Sequence, residues 1–374
     1  MSSGRSSILA RPVICAMQRI AGRISNRDLV GIIGTSSGRA FSSGSNTALI
    51  KQLRERTGAP MKDVKAALLQ CDWDSEAAFT ELRKKGLAAA GKKAGRVAAD
   101  GLLGVASQQE GRAAAVVEIN SETDFVARND LFQHLVSQVA GAALSVESSP
   151  RSESEAAVIN LQALEAAKIE LNHPKLSGRS TVADAVAEVA SIMGENVKIR
   201  RGFLLSSSTG IVASYLHSST QAGIARVAGL LTLEPATSDS QSADHPAELS
   251  SLGESLAMHI VAQRPLFLSK DLVAPEALQH EREILTSQAL GSGKPPNVIE
   301  KMVAGRLSKY VQEVALLEQK YVLDEAKTVK AVLNEFAKQF EKQYNIGQFV
   351  RVEVGEGIQR EEKNFAAEVA AQAA

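Results

Sequence analysis

Cysteine is almost absent from this chain of 374 residues: Cys15 and Cys71 are its only two. Two thiols cannot make a disulfide framework, and a reducing compartment fits. Aromatic residues are few, at 4%. No apolar run approaches the roughly 18 residues that would cross a bilayer, so the mature protein is expected to be soluble, with no membrane partner. Neither sign of charge prevails, with 42 Lys and Arg against 42 Asp and Glu. The six histidines (His134, His173, His217, His245, His259, His280) show no paired spacing on one helix face and have no cysteine partners, so no metal site is expected. What remains, 44% hydrophobic and 22% charged, is ordinary globular material with room for two or three domains.

Enzyme motifs are lacking too. "GTSSG" at 34–38 matches a nucleophile elbow, but no helix follows it. "GSGKPP" at 291–296 puts proline where a phosphate loop needs the Ser or Thr that holds magnesium. No catalytic residue and no cofactor is assigned.

Residues 1–41 differ from the rest. They carry six arginines, no lysine, one acid (Asp28) and many serines, the composition of an organelle-targeting presequence. The stretch ends "GRAFSSGS", which resembles plant mitochondrial cleavage sites, and cleavage is expected after Phe41. Its removal leaves five more acids than bases, so the mature chain has no global pull toward nucleic acid.

From residue 46, "NTALIKQLRERTGAPMKDVKAALLQCDWDSEAAFTELRKKG" reads as three short helices over 46–86. Thr47 caps the first, with Ile50 and Leu53 inward. Pro60 opens the second, with Val64, Ala67 and Leu68 inward. Asp74 caps the third, with Ala78, Phe79 and Leu82 inward and Gly86 as its stop. A domain this small is marginally stable and suits binding. Residues 87–100 follow as a linker. The cations Arg83, Lys84, Lys85, Lys92, Lys93 and Arg96 read as a solvated helix rather than an RNA-contacting arm, because no aromatic is interleaved for base stacking.

The middle of the chain repeats itself. "LLGVASQQEGRAAAVVEIN" is two strand-like runs around Glu110-Gly111, leading through "SETDFVAR" into a helix striped by Leu131, Leu135, Val136 and Val139. "IVASYLHSSTQAGIARVAGLLTLE" is again two runs around a glycine, leading into the helix "ELSSLGESLAMHIVAQ". Each unit would bury one sheet face under its helix, giving an α+β fold of two related subdomains, 101–200 and 201–350. "GFLLSSS" and "QFVRVEVGEG" would complete the sheets, and residues 148–195 read as mostly helical. Residues 275–318 form an excursion, two amphipathic helices joined by "GSGKPP" into a protruding antiparallel hairpin. Residues 351–374 hold a last strand and a short helix capped at Asn364, with Phe365 and Val369 on one face; so short a helix needs something to dock on.

"NSETDFVARND" at 120–130 poses the functional question: Phe125 and Val126 are an apolar pair in a loop-forming polar segment. The residues alone leave two readings open. Phe125 is a plug folded back into the core, or a wedge meant for another molecule.

The motifs "LRERTGAPMKDVKAAL", "KKAGRVAADG", "EINSETDFVARND", "GENVKIRR", "SGKPPNVIEKMVAGRLSKY" and "FVRVEVGEGIQ", in this order over residues 46–372, resemble those of the elongation factor Ts family, and the presequence adds a likeness to its mitochondrial, plant-type branch. The resemblance implies a guanine-nucleotide exchange factor for the GTPase elongation factor Tu in its GDP-bound state, located in the mitochondrial matrix. It implies that the N-terminal module is UBA-like and that Asp124 and Phe125, framed by Thr123 and Val126, reach the GTPase near its magnesium. It further implies docking contacts at Arg54, Met61, His217, Phe365 and Val369. Three departures stand out: Ser218 and Ser219 follow His217 where glycines are usual and "TQAGIA" looks inserted, Trp73 stands where glycine is common, and Asn364 stands where Asp is usual. Two rival classes remain: a non-exchange binding module, such as a chaperone or adaptor acting through the three helices, and a hydrolase using Asp124 and His217, which lacks a nucleophile, a metal set and an oxyanion donor.

Overall fold

Local chemistry sets most of the element boundaries. The computed structural model describes residues 43–108, 111–149, 155–219, 221–236, 245–291 and 295–359. Residues 1–41, expected to be a presequence, and the terminal residues Asn364, Phe365 and Val369 lie outside the described residues.

Helix α1 (Ser43–Thr57) starts ahead of Thr47, which therefore stands within the helix and does not cap it. Helix α2 (Met61–Gln70) follows Pro60, whose fixed φ of −56° suits a helix entry. Helix α3 (Ser75–Lys93) is capped by Asp74, which accepts from the amides of Glu76 and Ala77. The three bury Leu53, Val64, Leu68, Ala78 and Leu82 between them. Gly86 does not stop α3: the helix runs on to Lys93, so the first half of the expected linker is helical. The glycine serves a close crossing instead, because a Cβ there would lie 1.9 Å from the Ser191 hydroxyl of a later helix. Several of the basic residues on and just after α3 are engaged internally, Arg83 with Glu188 at 2.8 Å, Lys85 with Asp63 at 2.6 Å and, past the helix end, Arg96 with Glu122 at 3.5 Å.

The first half comprises β1 (Asp100–Ser107), β2 (Ala113–Ser121), the single turn α4 (Asp124–Ala127), α5 (Asp130–Ala143), β3 (Ser148–Ser149), β4 (Ala157–Ile159), α6 (Leu161–Ala166), β5 (Lys168–His173), β6 (Leu176–Thr181), α7 (Val182–Met193) and β7 (Lys198–Ser206). Residues 148–195 are thus not mostly helical; they contain two short strands and the β5–β6 hairpin as well as α6 and α7. The alternation of inward Ile169 and Leu171 with outward neighbours is a strand period, and it is set between helix-patterned stretches on either side.

The second half comprises β8 (Ile211–His217), β9 (Ile224–Ala225), β10 (Val227–Pro235), α8 (Glu248–Gln263), α9 (Pro275–Leu290), α10 (Pro296–Val314), β11 (Lys320–Tyr321), β12 (Asp324–Thr328), α11 (Val329–Phe340) and β13 (Tyr344–Glu353). Helices α9 and α10 share their own apolar contact through Leu285, Ala289, Ile299 and Val303.

The fold is α+β. Strands run β3-β4-β7-β2-β1-β9 in one large sheet and β13-β10-β8 in a second, with β5–β6 and β11–β12 as separate two-stranded sheets. Helix α5 covers the first sheet through Leu131, Leu135, Val136 and Val139, and α8 covers the second through Leu249, Leu256, Ala257 and Ile260. The opposite faces of the two sheets meet each other, Leu103, Val116 and Leu205 from the first with Ala228, Leu230 and Val352 from the second. Strand β2 is consequently buried along its whole length, its apolar start Ala113–Val117 and its polar end Glu118, Asn120 and Ser121 alike.

Candidate functional site: the loop after the first hairpin

Strand β2 ends at Ser121, whose hydroxyl donates to the carbonyl of Thr123 at 2.9 Å. Thr123 then donates twice to the Glu195 carboxylate, from its amide at 3.0 Å and from its hydroxyl at 2.7 Å. Just upstream, Glu122 accepts from the amide of Asn196 at 2.6 Å. The chain turns once in α4, closed by the Arg128 amide on the Asp124 carbonyl at 3.2 Å. It enters α5 at Asn129, whose side chain accepts from the Leu131 amide.

This framework decides which side chains face in. Val126 and Ala127 join the core under α5. Phe125 points the other way and keeps 76% of its surface exposed. The core-plug reading of Phe125 therefore fails: the apolar floor of the loop is supplied by Val126, Ala127, Leu131 and Phe132, and leaves no place for it. A large aromatic so exposed, next to an acid, on a loop gripped at both ends is a geometry for contacting another molecule. Asp124 is held near it by Arg128, at 2.6 Å.

Upstream on β2 lies a charged cluster. Glu118, on β2, is fully buried and accepts from Arg200 at 2.9 Å, from Arg201 at 2.5 Å and from the Gly355 amide at 2.8 Å. Burial pushes its carboxyl up, but the Gly355 amide and the two guanidiniums more than offset this and leave it below the usual carboxylate range. Glu118 thereby ties the first half to the chain end of the second.

The other sequence-predicted residues are dispersed. His217 ends β8, exposed, with Nδ1 3.5 Å from the Tyr215 hydroxyl. Its carbonyl accepts from the Arg226 amide, and the Arg226 guanidinium reaches Asp100 on β1 at 3.1 Å, so Arg226 links the end of β8 to the start of β1. Asp124 and His217 make no hydrogen bond to each other: Asp124 is engaged by Arg128, and His217 lies on the other sheet. Arg54 lies exposed on α1, and Met61 opens α2 with 58% exposure. Leu69, not singled out from sequence, is also exposed on α2, two turns beyond Met61. Among the described residues no group of three or more His, Cys, Asp or Glu side chains could hold a metal ion.

Residues 122–356 match the family model described as Elongation factor TS. The chain is 52% identical over 339 residues to "Elongation factor Ts, mitochondrial" of Ricinus communis, covering 90% of this chain and 88% of that one. It is 51% identical to the protein of the same name from Zea mays, covering 91% and 88%. It is also 44% identical to "Elongation factor Ts" of Rhodospirillum rubrum, covering 87% of this chain and 97% of the bacterial one.

Proposed function

Since the chain belongs to the elongation factor Ts family, we propose that it promotes GDP release from mitochondrial elongation factor Tu by inserting Asp124 and Phe125 beside the bound magnesium. The chain serves translation elongation as a nucleotide exchange factor, and its relatives point to the mitochondrion, within which we assign it to the matrix.

The observation that carries the mechanism is the 76% exposure of Phe125 on a loop whose other apolar residues are buried. A ring inserted into the GTPase would displace the elements that support magnesium, an ion that tolerates little departure from octahedral coordination. With the ion displaced, the charge that holds the diphosphate is gone. The exchange breaks no covalent bond, so the chain needs no acid, base or nucleophile of its own.

Magnitudes show that one wedge is insufficient. Nanomolar GDP corresponds to about −12 kcal/mol, and a ten-thousandfold faster release needs roughly 5.5 kcal/mol of differential stabilisation. Burying one Phe contributes about 1.5 to 3 kcal/mol. The remainder is assigned to docking through the UBA-like helices at Arg54 and Met61, through His217, through the α9–α10 hairpin, and through the terminal residues Phe365 and Val369. Coupling is reciprocal, so bound nucleotide weakens the factor as much as the factor weakens nucleotide.

The test is Phe125→Ala in the full chain, mixed with elongation factor Tu carrying fluorescent GDP. Release at saturating factor is expected to slow at least about tenfold, by the lost burial, while thermal unfolding stays at the wild-type temperature. Normal release from the variant would refute the wedge.

A further inference from the structure

The loop that carries Phe125 is too short to hold itself. A helix of one turn, such as α4, has no stability of its own in water, and its N-cap residue, Thr123, makes no capping bond with its side chain. The hydroxyl is directed instead to a carboxylate distant in sequence, Glu195, which also takes the Thr123 amide. Both polar hydrogens of the residue immediately before the Asp124–Phe125 pair are therefore committed to one acceptor.

That acceptor stands on a rigid base. Helix α7 ends at Gly194, in the left-handed conformation with φ of 71°, which turns the chain sharply into Glu195 and Asn196. Lys93, at the end of α3, donates to the Gly194 carbonyl. Asn196 is 5% exposed; its amide grips Glu122, and its side chain donates to the carbonyls of Ala94 at 3.1 Å and Arg96 at 2.7 Å. Three segments thus meet here: the exit of the three-helix module, the end of α7, and the two residues leading into the wedge.

We infer that Glu195, backed by Asn196, is the positioning residue of the exchange loop, fixing Thr123 so that Phe125 enters the GTPase already oriented. This rests on the exchange reading above. Preorganisation lowers the cost of ordering the loop at the moment of insertion, so its loss is felt in the nucleotide-displacing state more than in docking, which other surfaces carry. Because Asn196 joins the same node to the exit of α3, the three-helix module and the wedge are held as one piece.

The experiment separates the maximal rate of fluorescent-GDP release from elongation factor Tu, at saturating factor, from the factor concentration giving half that rate. Removing a charge-assisted pair of bonds in Glu195→Ala is expected to lower the maximal rate about tenfold, with half-saturation moved by less than about threefold. Glu195→Gln retains an acceptor for the Thr123 amide and a donor to its hydroxyl, and is expected to recover most of the rate. Thr123→Val, isosteric and lacking only the hydroxyl, should fall between wild type and Glu195→Ala; it gives the same readout if Glu195→Ala does not fold. An unchanged maximal rate in Glu195→Ala or, if that variant does not fold, in Thr123→Val would overturn the inference. So would a Glu195→Gln variant no faster than Glu195→Ala, or losses of rate and affinity that merely follow the folded fraction. Phe125→Ala measured alongside distinguishes the failures: wild-type release there rejects the wedge itself, while slow release there with normal release from Glu195→Ala rejects only the positioning role.

Discussion

The two halves of the molecule use one plan. The first runs hairpin, helix, small hairpin, helix, strand (β1–β2, α5, β5–β6, α7, β7), and the second repeats it (β8–β10, α8, β11–β12, α11, β13). The last strand returns to the same neighbour each time, β7 on β2 and β13 on β10, and each pairing contains a bulge. Thr181 and Thr328 open the second helix of each half, accepting from the Asp184 and Ala331 amides. Gly104 and Gly229 let the first helix lie directly on the sheet, because a Cβ at either would be 2.6 Å from a helix carbonyl, that of Val136 or Ala257. The halves differ in what the plan carries between its elements. The first presents the Phe125 loop where its hairpin meets α5, and the second holds the α9–α10 pair between α8 and β11. The scaffold is duplicated, and each distinctive surface sits in a connection, where changes leave the packed layers intact.

The halves also differ in how the bulge is satisfied, and here the largest effect is expected. Opposite the β7 bulge stands Glu118 with its arginines; opposite the β13 bulge stands Thr232, fully buried, accepting from the Gln348 amide at 2.8 Å. Glu118→Ala should destabilise by about 3 kcal/mol, toward the low end for a broken buried pair, because Arg200 and Arg201 keep 24% and 27% of their side-chain surface in water. Acid should act on the same group. Its folded carboxyl lies below the usual value of 4.5, so its contribution is complete above that value and is lost as pH falls through the folded one. A Tm-versus-pH series should therefore show a steeper acid limb in the wild type than in Glu118→Gln. Equal limbs would mean that the cluster is electrostatically idle.

Next come the two glycines, which test whether the plan is physically the same in both halves. Gly104→Ala and Gly229→Ala each force a methyl against a helix carbonyl, an overpacking that costs up to about 3 kcal/mol. Denaturant unfolding should show matched losses; a large loss at one position alone would mean that the two helix-on-sheet contacts are not equivalent.

The hairpin-then-helix repeat is legible in the sequence because its signals are local: paired strand-like runs, a glycine between the runs of each pair, and the apolar stripe of the helix that follows. The longer repeat is not. "TVADAV" and "TVKAVL", which open α7 and α11, are a second internal match, yet 148–195 reads as mostly helical because the short β5–β6 hairpin lies between helix-patterned stretches. Gly86 was misread because its role is set by Ser191, about a hundred positions away, and nothing local announces such a crossing. In the site, a lone aromatic in a polar loop was visible from sequence and its exposure was not. The roles of Glu195 and Asn196 depend on two segments meeting in space, so no spacing along the chain could reveal them.

A smaller loss is expected at the neutral counterpart of Glu118. Thr232→Val keeps the shape but strands the Gln348 amide beneath the second sheet, at a cost of about 1 to 2 kcal/mol. No carboxylate is involved there, so the acid limb of the Tm series should be unchanged. A limb altered by Thr232→Val as it is by Glu118→Gln would erase the distinction between the two bulges.

The smallest effect on folding is expected where the halves differ most in size. The first half packs α5 and α7 in its core with only β3, β4 and the short α6 where the second half carries α9 and α10, so the plan closes without a long helical pair. Helices α9 and α10 bury Leu285, Ala289, Ile299 and Val303 against each other, apart from the residues that pack α8 onto its sheet. Their base is a separate contact, Val273, Val314 and Ala315 with Phe267, and Gln319 secures it by donating to the carbonyls of Gln263 and Glu313. Replacing the outer turns, roughly residues 283–305, by a short glycine-serine turn keeps that base. The shortened protein should unfold within about 1 kcal/mol of the wild type. Its half-saturating concentration for GDP release should rise, because a docking surface is gone, while the maximal rate, set by the Phe125 loop, should hold. Global unfolding of the shortened chain would show that the pair is part of the second half's core; an unchanged half-saturation would show that it contributes nothing to docking.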